Sequence, residues 1–134
     1  MIVKCKRPHL VPFCTVVKLS KLRLWNGMMY DEFLYLYEIK SVEARCFLAY
    51  DNDELLGWGL VSRSDNMKDY KFYVFVKPAN RRKKVGLAIF KQARRYCSRK
   101  HKKCWVFAHD DKSARFYRRA KVPEDFIVKY PGIK

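Results

Sequence analysis

Four consecutive cations, Arg81-Arg82-Lys83-Lys84, stand between two stretches of different periodicity. Before them Phe72, Val74 and Val76 alternate with Tyr73, Phe75 and Lys77, the period of a half-buried strand. Pro78 stops that strand, because proline has no N–H to give to a ladder. After the cations Val85, Ile89, Ala93 and Tyr96 recur at helical spacing, with Lys91, Arg94, Arg95 and Arg99 on the other face. The basic run therefore lies where a strand becomes a helix. Unpaired first-turn N–H groups and the helix dipole favour an anion there, and phosphate is the usual guest. The plain alternative is a solvated, cationic helix start.

A second stretch with chemical content is Asp110 to Ala120, DDKSARFYRRA. It reads as a short helix with Asp110 or Asp111 as N-cap and with Ala114, Phe116 and Tyr117 on its apolar side. Together the two stretches resemble the GNAT acyltransferase superfamily. Its acetyl-CoA motif, roughly Q/R-x-x-G-x-G/A, falls on Arg81 to Gly86; the final glycine is Gly86, and Lys84 replaces the first. A second signature, N-x-x-A/S-x-x-F/L-Y-x-x-x-G-F, falls on Asp110, Ser113, Phe116 and Tyr117, with Lys121-Val122 where Gly-Phe is usual. The resemblance spans roughly Cys46 to Val122; residues 1–40 carry no match.

The resemblance implies an α/β fold, a mixed, mostly antiparallel sheet of about six strands splayed at its centre, with helices on both faces. It implies acetyl-CoA as acyl donor. The pantetheine arm would pair with the backbone of Val74, Phe75 and Val76. The pyrophosphate would lie on the N–H groups of Arg82, Lys83, Lys84, Val85, Gly86, Leu87 and Ala88, with Arg81, Arg82 or Lys83 adding charge. Asp110 and Ser113 would lie on the cofactor side. Acyl transfer needs a neutral amine, a polarised thioester carbonyl and a proton for the leaving thiolate. The Val76 N–H is the candidate for the carbonyl and the Tyr117 hydroxyl for the proton. Without the motif, Tyr117 would read as a packing aromatic. Several relatives carry a basic glutamate where this chain has Trp105, so the base stays open among Asp69, Glu54, His109 and a water chain. The expected function is N-acetylation of an amine on a macromolecular acceptor. A basic GNAT-fold adaptor with weak or no catalysis is the alternative, and a plain nucleic-acid binder a third.

The chain has 134 residues and a net charge of +17, and nearly half of its residues are hydrophobic. Those values describe one folded domain, residues 1–134, rather than a disordered chain. Between Asp69 and Asp110 no residue is acidic while thirteen are Lys or Arg. That exceeds what one cofactor's phosphates need and points to a polyanionic partner: nucleic acid, ribosome or an acidic protein. No apolar run approaches the roughly 20 residues of a membrane span, and no signal-peptide pattern opens the chain. Five cysteines without a C-x-x-C pair and three scattered histidines argue for reduced thiols, no metal and a cytoplasmic setting. A nucleotide P-loop run is missing, nothing locates a Cys–His hydrolase pair, and no second helix precedes the basic one as a helix-turn-helix requires.

Taken in order, residues 1–6 suggest an edge strand, and residues 11–25 show an indistinct helical period before a break at Asn26-Gly27. Residues 28–39 fit a helix through Met29, Phe33 and Leu36, although Phe33, Tyr35, Tyr37 and Ile39 also alternate. Residues 45–50 and 55–61 form a hairpin across Asp51-Asn52-Asp53-Glu54, and Gly57 and Gly59 around Trp58 suggest a bulge or a close backbone approach. Residues 104–108 read as a fifth strand.

Overall fold

The computed structural model describes residues 1–22, 27–81 and 84–129. Asn26, Arg82 and Lys83, named above for a chain break and for phosphate contacts, lie outside the described residues. The elements run β1 (Ile2–Lys6), α1 (Phe13–Leu19), α2 (Met28–Glu38), β2 (Arg45–Asp51), β3 (Glu54–Arg63), β4 (Tyr70–Val76), α3 (Val85–Arg99), β5 (Cys104–Ala108), α4 (Asp111–Arg119) and β6 (Ile127–Lys129). One sheet takes the strands in chain order. β1 to β4 pair antiparallel, while β4–β5 and β5–β6 are parallel, with α3 and α4 making the crossovers. This is the mixed α/β sheet with helices on both faces that the two motifs imply. The sheet has the expected six strands; β6 was not located in the sequence, since its three residues are too few to display a period.

Strand alternation divides the core between the two faces. Phe47, Phe72 and Val106 face α3 and α4, joining Ile89, Phe90, Ala93, Ala114 and Tyr117. Cys46, Leu48, Trp58, Leu60 and Tyr73 face α1 and α2, joining Val16, Leu19, Met29, Phe33 and Leu36. The ambiguity in residues 28–39 resolves to helix on burial. Met29, Phe33 and Leu36 are buried at helical spacing, whereas Tyr35 and Ile39, which a strand would have placed beside Phe33, are exposed. Trp58 is fully buried, meets Phe33 edge-on at 5.6 Å, and gives its indole N–H to the Leu22 carbonyl at 2.5 Å. That bond satisfies the one polar atom the ring carries into the core.

The hairpin contains both features the glycines suggested. Ala49 pairs with Gly57 but Tyr50 pairs with Leu55, so Leu56 is an extra residue on β3. This bulge inverts the alternation, and Leu55 and Trp58 consequently share the α2 face although their numbers differ by three. Close approach accounts for the glycines themselves. A Cβ at Gly57 would stand 2.7 Å from the Phe75 carbonyl oxygen, and one at Gly59 2.6 Å from Ile89 Cγ2 and 2.9 Å from the Phe72 ring.

The opening in the sheet follows from where one ladder ends. β4 and β5 pair only from Tyr70↔Cys104 to Phe72↔Val106; beyond that, Tyr73 to Val76 pair with β3 alone. Among the described residues, no helix is long and apolar enough to cross a membrane, and no group of three or more His, Cys, Asp or Glu is placed to hold a metal.

Candidate active site

The gap between β4 and β5 opens into a cavity of about 710 Å³, within the range of small-molecule and cofactor sites. Its walls come from the end of β4 (Tyr73, Val74, Phe75, Val76), the start of α3 (Arg81, Gly86), the end of β5 (Phe107, His109) and α4 (Asp110, Ser113, Tyr117 and neighbours). Residues from both sequence stretches are thereby brought to one place. Val74, Val76, Arg81, Gly86, Asp110, Ser113 and Tyr117 all line the cavity. Of the remaining candidates, Val85 is buried in the core, Leu87 and Ala88 are half-buried, and Lys84 is exposed; none of the four is on its wall.

Two hydrogen bonds fix the phase of β4. The Tyr70 N–H donates to the Lys103 carbonyl on the β5 side, and the Lys77 N–H to the Leu56 carbonyl on the β3 side. Backbone groups alternate between the two edges of a strand, so Val74 and Val76 direct theirs into the gap and Phe75 directs its own to β3. Of the three strand residues proposed for the pantetheine, Phe75 is therefore in the wrong phase for backbone pairing and contributes its ring to the wall. The Val76 carbonyl is also engaged, accepting from Arg81 Nε at 3.0 Å, while the guanidinium lies over the Phe75 ring at 5.6 Å.

The start of α3 shows what a glycine would normally do there. Lys84 is the N-cap residue with φ 63° and ψ 15°, in the left-handed region that glycine enters without strain. Its carbonyl accepts the Ala88 N–H at 3.0 Å, so the Ala88 amide is not open to a phosphate. The amides of Val85, Gly86 and Leu87 belong to the first turn, which has no intrahelical acceptors for them. Gly86 faces Val76 Cγ2 and the Phe116 ring, where an added Cβ would make ordinary contacts at 3.6–3.8 Å. Its value is thus an uncrowded cavity wall rather than an unusual dihedral.

α4 opens with a reciprocal capping box. Asp110 Oδ1 accepts the Ser113 N–H at 2.7 Å, and Ser113 Oγ accepts the Asp110 N–H at 3.2 Å. Burial alone would raise the Asp110 carboxyl, but the Ser113 amide and hydroxyl hold it below the ordinary carboxylate range. The same box aims α4 so that Ala114 and Tyr117 enter the core. Tyr117 is 1% exposed and packs edge-on against Phe90 (5.7 Å) and Phe116 (5.1 Å). Burial pushes its hydroxyl well above the ordinary tyrosine value, so it stays protonated at any working pH. The same shift makes the hydroxyl a weaker acid than a solvated phenol.

The wall also holds His109, one of the candidate bases, together with Phe107 and three α4 cations that were not anticipated. Lys112, Arg115 and Arg119 line it at a spacing of three and four along α4, a cationic stripe visible in the helical period. Phe107 stacks on Tyr73 at 4.9 Å and 16° across the gap. His109 continues the alternation of β5 and stands with Nε2 3.6 Å from Asp110 Oδ2. Asp69 goes elsewhere: the Trp105 indole N–H, first, and the Asn66 amide hold its carboxyl below the ordinary range, each at 3.0 Å. On α3, Arg94 has a structural task besides its exposure. Its guanidinium donates to the Ala120 carbonyl at 2.6 Å and covers the Phe90 ring at 4.6 Å, tying α4 to α3.

Among solved structures, aminoglycoside 6'-N-acetyltransferase AAC(6')-Ig from Acinetobacter haemolyticus matches with a TM-score of 0.71 at 17% identity, covering 92% of each chain. YncA from Salmonella typhimurium, a putative acetyltransferase with its cofactor acetyl-CoA, matches with a TM-score of 0.65 at 14% identity, over 88% of this chain and 76% of its own. An aminoglycoside 6'-N-acetyltransferase complexed with coenzyme A matches at 0.61 and 15% identity; this chain aligns over 79% of its length and spans 61% of that one. At such identities these likenesses establish the fold. No curated protein matches the sequence. The model of the acetyltransferase (GNAT) domain matches residues 43–120, more than half of the chain and both motif stretches. The chain therefore belongs to the GNAT acetyltransferases, enzymes of the acyltransferase class with acetyl-CoA as donor.

Proposed function

We propose that this protein transfers the acetyl group of acetyl-CoA to an amine on an acidic macromolecular acceptor, an acidic protein or a nucleic-acid-associated group. In this reading the pantetheine pairs with Val74 and Val76. The pyrophosphate rests on the first-turn amides around Gly86, with Arg81 and the α4 cations beside it. The Val76 N–H polarises the thioester carbonyl, and Tyr117 returns a proton to the departing thiolate. His109 is the group to remove the amine's proton. It lines the cavity beside a carboxylate, whereas Asp69 is committed to Trp105, and Glu54 lies off the cavity wall, 3.9 Å from Lys77.

Charge is the observation that carries the acceptor class. The cavity cations Arg81, Lys112, Arg115 and Arg119 serve the pyrophosphate in this reading, but they are a small part of the positive charge of a chain that is +17 overall. A polycationic small molecule, such as an aminoglycoside, meets repulsion throughout its approach, while an acidic macromolecule is steered inward. The test is mass spectrometry of cell extract incubated with isotope-labelled acetyl-CoA, with and without the protein. Protein-dependent label on acidic proteins or nucleic-acid-bound species supports the reading. Label confined to small polyamines refutes the acceptor class, and no protein-dependent label refutes the transfer itself.

A further inference from the structure

The outward face of α3 carries charge that neither the cofactor cavity nor the fold takes up. Some cations of α3 and of the turn after it have internal partners. Arg94 donates to the Ala120 carbonyl, Lys100 lies over the Tyr96 ring at 5.9 Å, and Lys103 lies over the Phe126 ring at 5.5 Å. Lys91, Arg95 and Arg99 are exposed, and among the described residues none of the three has a hydrogen bond, ion pair or ring contact. They stand at i, i+4 and i+8 with exposed Ser98 beside them, one stripe at 3.6 residues per turn. Ile89, Phe90, Ala93 and Cys97, all buried, occupy the opposite side of the helix. No acid between Asp69 and Asp110 offsets the stripe along the chain.

We infer that this stripe docks duplex nucleic acid by its phosphates. Docking of this kind requires no step of acetyl transfer, and it names one polyanion within the acceptor class proposed above. The surface around the stripe distinguishes the partner. The ten exposed large hydrophobics among the described residues all lie at or before Met67, so α3 and α4 present none. A protein partner is held by an apolar, often aromatic interface core inside a polar rim, and this face has no such core. A single strand is held by stacking its bases on aromatic rings, and no exposed ring stands on α3 or α4. The stripe offers cations and one small hydroxyl residue, the side chains that bind phosphate oxygens and seat a protein on a duplex without reading its sequence. Its length fits as well. Lys91 to Arg99 spans about 12 Å of helix, and each strand of a duplex carries a phosphate for about every 3.4 Å of axis. Three cations therefore face about three to four phosphates of one strand.

Fluorescence anisotropy of the intact protein, without acetyl-CoA, tests this against a labelled DNA duplex of arbitrary sequence and the matching RNA duplex. Salt is varied over about 50 to 200 mM. Both duplexes should bind, and on DNA the log of affinity should fall with log salt at a slope of about −3 or steeper. Lys91→Glu with Arg95→Glu and Arg99→Glu should weaken binding by roughly tenfold or more and make that slope shallower by about two to three. Glutamine at the same three positions should lose the same slope with a smaller loss of affinity. Lys18→Glu with Lys21→Glu and Lys40→Glu, an equal change of net charge in and around α1 and α2, should leave affinity within about threefold. The acetyl-CoA melting shift should persist in every variant, which reports the fold and keeps cofactor binding separate from docking. A wild type that binds neither duplex at the lowest salt overturns the proposal. Equal losses in the two glutamate sets overturn it too, since net charge would then be the cause. Tighter binding of polyglutamate or of a single strand of equal length overturns the choice of partner, and binding confined to one of the two duplexes overturns a grip by phosphates alone.

Discussion

Replacing Tyr117 by Phe separates its packing from the proton-donor role proposed for it. Its ring is 1% exposed and wedged between Phe90 and Phe116, while its hydroxyl makes no hydrogen bond to another described residue. Phe keeps both ring contacts and removes an oxygen that strands no partner, so stability should change by about 1 kcal/mol or less. Turnover has a different dependence. Loss of a positioned general acid costs on the order of 10²- to 10⁴-fold, and because thiolate protonation occurs after binding, the loss should fall on kcat with acetyl-CoA affinity kept. The assay is release of free CoA, followed with a thiol reagent and the labelled acceptor fraction, alongside a melting curve with and without acetyl-CoA. A variant that folds, shows the wild-type melting shift and turns over at the wild-type rate refutes the proton-donor role. A variant that unfolds refutes the premise that the hydroxyl has no structural partner.

Gly86→Ala should retain the acetyl-CoA melting shift, since the new Cβ meets neighbours at 3.6 Å or more, whereas Gly86→Glu should abolish most of it by placing negative charge on the phosphate wall; equal shifts in both would put the pyrophosphate elsewhere. Gly59→Ala should lower stability by about 1–3 kcal/mol by forcing apart Ile89 and Phe72, measured by urea denaturation, and a neutral result would mean that α3 can lift from the sheet at little cost. Lys84→Gly should raise the melting temperature by relieving a left-handed lysine, and an unchanged or lower value would show that chain entropy outweighs that strain. Burial first, then its neighbour Tyr96, pushes the Tyr70 hydroxyl up to about 12. A raised value means that the folded state holds the proton longer. Its contribution is therefore complete below pH 10 and is lost as pH climbs from 10 toward 12, so melting temperature should fall across that window and fall less in Tyr70→Phe.

Local chemistry was enough to read the strand, the basic turn and the helix from residues 72–99, the hairpin with glycines that suggested a bulge or a close approach, and an α4 cap at Asp110 or Asp111. Each of these is decided by neighbours within a few positions: alternation against a proline, a period of 3.6, a carboxylate three residues before an amide. An electropositive helix start was legible for the same reason, because it needs no distant partner. Residues 28–39 were locally ambiguous, and only burial of Met29 and Phe33 beneath Trp58 decided them. The phase of β4 is a property of two strands at once. Sequence names Val74, Phe75 and Val76 alike, and the bonds from Lys77 to β3 and from Tyr70 to β5 decide which of them face the gap. Likewise His109, Phe107 and the α4 cations become a wall only because the β4–β5 ladder stops at Phe72, a long-range pairing that no local window contains. Periodicity is written in the chain; which face meets which, and where the sheet parts, depends on contacts between residues far apart in sequence.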